Sequence, residues 1–219
     1  MSTQPPANGS LREQAYCRLH RLLILQQISE GQRLRESEWS KRLGVNRTAL
    51  REAFARLEAE GFVERGPKTG YFVPDLTNHD ILEVLEVRAM LEGGAIERLI
   101  QMGFNTPPRL GSLREACDQL ERLIREDYVL GVAEADRRFH EALIEAAGNR
   151  RLSMLYQRAP LPIIHPEIIS GDLWAARVKK THEEHRAILD AILEGDVDGA
   201  KELLRTHLNE RAFIPLYAG

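Results

Sequence analysis

Apolar positions along this chain recur first at a helical period, then briefly at a strand period, then at a helical period again. From residue 11 to 28, Tyr16, Leu19, Leu22 and Leu23, with Gln26 one turn on, lie along one side of a predicted helix, which Ser29-Glu30-Gly31 ends. The next stretch, SEWSKRLGVNRTALREAF from Ser37 to Phe54, holds two shorter amphipathic runs about a turn at Gly44-Val45. Ser37 is placed to cap the first of these helices and Asn46 the second. Leu50, Ala53, Phe54 and Leu57 fall at i, i+3, i+4 and i+7, which makes one buried face. Gly61 stops that helix. Then Phe62-Val63-Glu64-Arg65, a Gly-Pro-Lys-Thr-Gly turn and Tyr71-Phe72-Val73 read as a β-hairpin. Two helices and a recognition helix followed by a hairpin describe a winged helix-turn-helix.

Beyond the Pro74-Asp75-Leu76-Thr77 break the pattern is helical throughout, with expected helices near 78–102, 109–128, 132–147, 149–158, 172–194 and 196–213. Pro107-Pro108, Gly148-Asn149, Pro160 to Pro166 and Gly195-Asp196 separate them. The expected fold class is mainly α: an N-terminal winged helix-turn-helix with a small hairpin wing, then an all-α bundle. The expected division is a disordered lead-in at 1–10, a winged domain at 11–74, a linker at 75–78 and a helical domain at 79–215.

Composition refines this picture. With 219 residues, 43% hydrophobic and 29% charged, the chain is long enough for two cores. No apolar run approaches the roughly 18 residues of a membrane span, and the first ten residues lack a secretory pattern. Two cysteines make no disulfide framework, so a cytoplasmic location is expected. The net charge of −3 is divided unevenly: residues 1–75 carry 12 Lys and Arg against 9 Asp and Glu, while the remainder carries 18 against 24. A basic first part and an acidic second part fit nucleic-acid contact by the former.

Arg47 and Arg51 are four apart near the start of the second motif helix and share a face, as suits a helix entering the major groove. Arg35 precedes a helix, within reach of a phosphate. Lys68, Thr69 and Gly70 form the wing tip, and glycine permits close backbone approach. In the helical half, Asp136 and His140 are spaced i, i+4, and His185 and His207 lie on two further helices. Three imidazoles and a carboxylate converging in a bundle suit zinc, nickel, manganese or iron, with positions left for water or a ligand. Arg88 and Glu92 are also i, i+4. On an exposed helix they make a weak ion pair, and in a cavity Arg88 forks onto a carboxylate. Tyr156 and Trp174 are candidates for the core or for a pocket wall.

The run RLRESEWSKRLGVNRTALREAFARLEAEGFVERGPKTGYFV resembles the DNA-binding domain of the GntR family of winged-helix transcription regulators. The family's serine-arginine-threonine-proline-valine-arginine-glutamate-alanine core reads here Asn46-Arg47-Thr48-Ala49-Leu50-Arg51-Glu52-Ala53. Ala49-Leu50 replaces Pro-Val, and Trp39 stands where a leucine is common. The second half is similar to the FCD ligand-binding domain of FadR-type members, through the Asp136-x-x-x-His140 helix, Gly148-Asn149, the Glu-His-Arg run at His185 and the run ending at His207. The resemblance implies DNA roles for Arg35, Arg47, Thr48, Arg51 and Gly70. It further implies a divalent transition metal on Asp136, His140, His185 and His207, zinc ahead of nickel, manganese or iron, and an effector-binding Arg88. The function expected is a homodimeric repressor of double-stranded operator DNA, controlled by a small carboxylate effector and with no membrane partner. A metal-dependent hydrolase or oxygenase with an accessory winged helix is the competing reading, for which no general base is evident among Glu141, Glu183 and Glu184.

Overall fold

The computed structural model describes residues 10–24, 27–66, 70–75, 77–157 and 172–212. These divide into two compact units, one running through Thr77 and one beginning at Asn78.

In the first unit, α1 (Leu11–Ile24), α2 (Glu36–Leu43) and α3 (Arg47–Ala59) surround a core of Leu19, Leu23, Leu34, Trp39, Leu50, Phe54 and Leu57. The whole expected apolar face of α3 is buried. Asn46 caps α3 as the pattern predicts, its side-chain oxygen accepting from the Ala49 N–H at 2.8 Å. Gly44 ends α2 at φ 68°, a left-handed conformation that costs glycine nothing. Arg18 donates to the Leu43 carbonyl at 2.9 Å, tying α1 to the same turn.

Two details differ from the sequence expectation. Helix α2 begins one residue before Ser37. Arg35 occupies its N-cap without a side-chain hydrogen bond, and Ser37 sits exposed inside the first turn. Glu36 and Glu38 supply negative charge at that helix start instead. The second difference explains the first. Arg33–Leu34 form a short strand, β1, which pairs antiparallel with β3 (Tyr71–Phe72), and β3 also pairs with β2 (Glu64–Arg65). The wing is therefore a three-stranded sheet in the order β1-β3-β2, and the chain turns into α2 as it leaves β1. A two-residue strand carries no period that a sequence can display.

The second unit holds α4 (Asn78–Gln101), α5 (Gly111–Arg125), α6 (Val129–Ala146), α7 (Arg150–Tyr156), α8 (Asp172–Glu194) and α9 (Val197–Ala212) among the described residues. Helix α4 packs on α6 and α9, α5 on α6 and α8, and α8 on α9. Their shared core includes Leu85, Ile96, Leu113, Cys117, Phe139, Leu143, Ile188, Ile192, Leu204 and Leu208. Burial pushes the Cys117 thiol up to about 12, which makes it an inert core residue. Arg98 and Arg109 donate to the Ala147 and Ala146 carbonyls, each at 3.0 Å, and so satisfy the end of α6. Among the described residues no helix is long and apolar enough to cross a membrane.

Candidate metal centre and DNA-binding surface

In the winged unit, Arg47 and Thr48 open α3, and Arg51 follows one turn later; all three are exposed. Arg35 is exposed at the α2 N-cap. The side chain of Arg51 is 64% exposed and donates from Nε to Glu36 Oε2 at 2.7 Å. Gly70 stands before β3 at φ 118°, and a Cβ there would lie 3.2 Å from the Leu34 carbonyl oxygen. Its own sheet thus requires glycine whether or not DNA approaches. Lys68 and Thr69 lie outside the described residues, as do His165 and the Trp174 side chain. His20 of α1 is half-buried, stacked on Tyr16 and edge-on to Phe62.

In the helical unit the packing of α6, α8 and α9 brings Asp136, His140, His185 and His207 together, all four buried. One ligand atom from each lies within 4.8 Å of all the others. His207 Nε2 is 3.2 Å from His140 Nε2 and 3.3 Å from His185 Nε2. Asp136 Oδ1 is 3.5 Å from His185 Nε2 and 4.0 Å from His140 Nε2. The His185 ring stacks on Phe139 with centroids 3.8 Å apart and an interplanar angle of 9°, which fixes its plane.

The outer partners decide what these nitrogens present. His140 Nδ1 lies 2.6 Å from Glu92 Oε2, and His207 Nδ1 lies 2.6 Å from Glu184 Oε2. A carboxylate only accepts, so both protons sit on Nδ1 and both Nε2 atoms turn lone pairs inward. Lone pairs 3.2 Å apart in a dry interior repel unless positive charge lies between them. Burial, and then the Arg88 charge, hold the His140 pKa well below the usual histidine value, so the imidazole is neutral and able to ligate. Four ligands tetrahedral about zinc, at roughly 2.0–2.1 Å, have edges of about 3.3–3.4 Å. His207 Nε2 meets that spacing with both His140 Nε2 and His185 Nε2, and the Asp136–His185 contact comes near it, while Asp136 to His140 is wider at 4.0 Å. The donor set and its geometry therefore fit a divalent metal ion.

Next to this group, Arg88 and Glu92 of α4 are buried, not a surface pair. Glu92 Oε1 accepts from Arg88 Nε at 2.8 Å and from the Tyr156 hydroxyl at 2.9 Å. Burial opposes the Arg88 charge, but Glu92, Tyr156 and Asp136 outweigh it and raise its pKa above the ordinary arginine value. Burial drives the Glu92 pKa up, with Arg88 drawing it back. The Tyr156 hydroxyl is raised well above its usual range by burial and by Glu92. Arg88 Nη1 is buried with no hydrogen-bond partner among the described residues. Nη2 lies 2.8 Å from Glu92 Oε1 but without hydrogen-bond alignment.

The spacing of Arg88 and Glu92 is visible in the sequence, but the role of Glu92 at His140 is not, because it joins different helices. Glu184 is likewise one of two adjacent glutamates until α9 brings His207 to it. His182, near His185 in sequence, is half-buried and outside the four-residue group.

Residues 11–73 match the sequence model for bacterial regulatory proteins of the gntR family, and residues 83–210 match that for the FCD domain. An HTH-type transcriptional regulator from an unstable DNA locus of Streptomyces ambofaciens is 30% identical over 90% of this chain and 81% of its own length. The HTH-type transcriptional repressor GlaR of Escherichia coli is 26% identical, with 85% of this chain and 87% of GlaR covered. The solved structure of E. coli McbR/YncC has the same fold, with a TM-score of 0.71 at 20% identity over 93% of this chain and 95% of that one.

Proposed function

This chain belongs to the gntR family of bacterial regulatory proteins and carries an FCD domain, and on that premise we propose that it is a homodimeric repressor whose operator affinity is set by a small carboxylate bound beside a metal ion. That it is a DNA-binding transcriptional regulator follows from the family itself, and the relatives are regulators, not enzymes. The metal-dependent enzyme reading finds no support among them.

The observation that carries the effector reading is the meeting of four buried ligand atoms within 4.8 Å of one another. Asp136, His140, His185 and His207 hold the ion in this reading, zinc ahead of nickel, manganese or iron. The ion supplies a Lewis-acidic anchor for an anionic group. Arg88 supplies the second anchor, since a buried guanidinium with an unpartnered Nη1 is matched by a carboxylate. In the winged unit, Arg35, Arg47, Thr48, Arg51, Lys68 and Gly70 form the DNA surface. A dimer places two α3 helices in successive major grooves of a pseudo-palindrome. Effector binding shifts operator affinity only as far as the effector prefers one arrangement over another.

The test is fluorescence anisotropy on the protein's own promoter DNA. Affinity should fall steeply with salt and fall again when the correct acid is added from a panel of small organic acids. Arg88→Ala should weaken the effector response more than it weakens effector-free DNA binding. A variant with a normal response removes Arg88 from the effector site.

A further inference from the structure

Glu92 stands between the two anchors of the proposed effector site and touches a residue of each. Its Oε1 faces Arg88 Nε and the Tyr156 hydroxyl, and its Oε2 faces His140 Nδ1. It is wholly buried, so the three donors replace water around its charge. Arg88 is permanently charged and equally buried, which requires that Glu92 be its ionised counterpart.

We infer that Glu92 is a positioning residue that links the two anchors, so that an anion on Arg88 and a metal ion on His140 bind cooperatively. This rests on the reading of Arg88 and the four ligands given above. An anion taken up by the Arg88 Nη atoms offsets the guanidinium charge that draws on Glu92. The carboxylate then accepts more strongly from His140 Nδ1–H. That hydrogen bond directs electron density to Nε2, the atom turned toward the ion. By thermodynamic reciprocity the ion tightens the anion by the same factor.

Gln in place of Glu92 breaks the link for a specific reason. Its amide oxygen can face Arg88 only if its NH₂ faces His140 Nδ1. That NH₂ donates, so Nδ1 must accept and the proton moves to Nε2, the wrong tautomer for a ligand. The reverse orientation sets two donors, NH₂ and guanidinium, against each other. Glu184 makes the same contact with His207 from α8, so its Gln variant tests tautomer control at a second ligand.

The experiment measures zinc affinity of the full chain by competition with a chromophoric chelator, with and without sodium acetate at constant ionic strength. Acetate is the simplest carboxylate probe for Arg88. In the unaltered protein acetate should tighten zinc by about fivefold, the low end of ordinary coupling. Glu184→Gln should weaken zinc by about 10- to 100-fold and keep the acetate effect. Glu92→Gln should weaken zinc similarly and lose the acetate effect. An acetate effect in Glu92→Gln equal to that in the unaltered protein overturns the link, as does none in the unaltered protein. Binding of ¹³C-labelled acetate to the metal-free protein and to Arg88→Ala, followed by NMR, tells two failures apart. If acetate binds through Arg88 without changing zinc affinity, only the link falls; if no acetate binds through Arg88, the anion site itself falls.

Discussion

Replacing His207 with Ala is expected to abolish the stabilisation that zinc gives to the helical unit. Zinc bound only by the folded state, at a thousandfold excess over its Kd, contributes about 4 kcal/mol. For a domain of this size class that is a rise in Tm of roughly 10 °C. His207 is central to the group, with its Nε2 3.2 Å from that of His140 and 3.3 Å from that of His185. Without it, two imidazoles and one carboxylate remain, and the carboxylate of Glu184 loses the ring it orients. Glu184 is 19% exposed, so its freed charge can be hydrated and the variant should still fold. His207 is the better choice than His185, whose removal also strips the face of Phe139. Scanning calorimetry of chelator-treated and zinc-loaded protein, paired with metal analysis, checks this. An equal zinc-induced shift and equal stoichiometry in the variant would remove His207 from the ligand set.

Arg51→Ala is expected to weaken promoter binding by about 1–3 kcal/mol for each half-site if the guanidinium reads a base. Stability should not move. The Arg51 side chain is 64% exposed, and an exposed ion pair of the kind it makes with Glu36 is worth at most about 1 kcal/mol. Glu36 adds a second effect. Once Arg51 is gone, an uncompensated carboxylate remains beside the α3 start and repels the phosphate backbone. The double variant Arg51→Ala with Glu36→Gln should therefore recover part of the non-specific affinity without recovering sequence preference. Anisotropy titrations on promoter and scrambled duplexes measure both quantities. Unchanged promoter affinity in Arg51→Ala would take this residue out of the interface.

The winged unit was largely legible from sequence because its signals are local. Leu50, Ala53, Phe54 and Leu57 announce one face of α3, and the Asn46 cap lies three residues from the N–H it accepts. What escaped was Arg33–Leu34, a strand defined by pairing with residues nearly forty positions away. The Ser37 cap failed for the same reason, since the end of that strand sets where α2 begins. In the helical unit the helix positions were legible from period and glycine breaks. Asp136 and His140 were a visible pair because one helix carries both. The convergence of His185 and His207 on them depends on the packing of α6, α8 and α9, which no spacing encodes. Glu92 shows the limit most clearly. Its sequence neighbour four residues back suggested an ion pair and nothing more, while its other oxygen serves a histidine 48 residues away.

The most direct test of the account is anomalous scattering at the zinc edge from crystals of the zinc-loaded protein. One strong peak is expected in the helical unit, bonded at roughly 2.0–2.2 Å by Asp136 Oδ1 and by Nε2 of His140, His185 and His207. A peak elsewhere, or one with any of these four side chains beyond bonding distance, would contradict it.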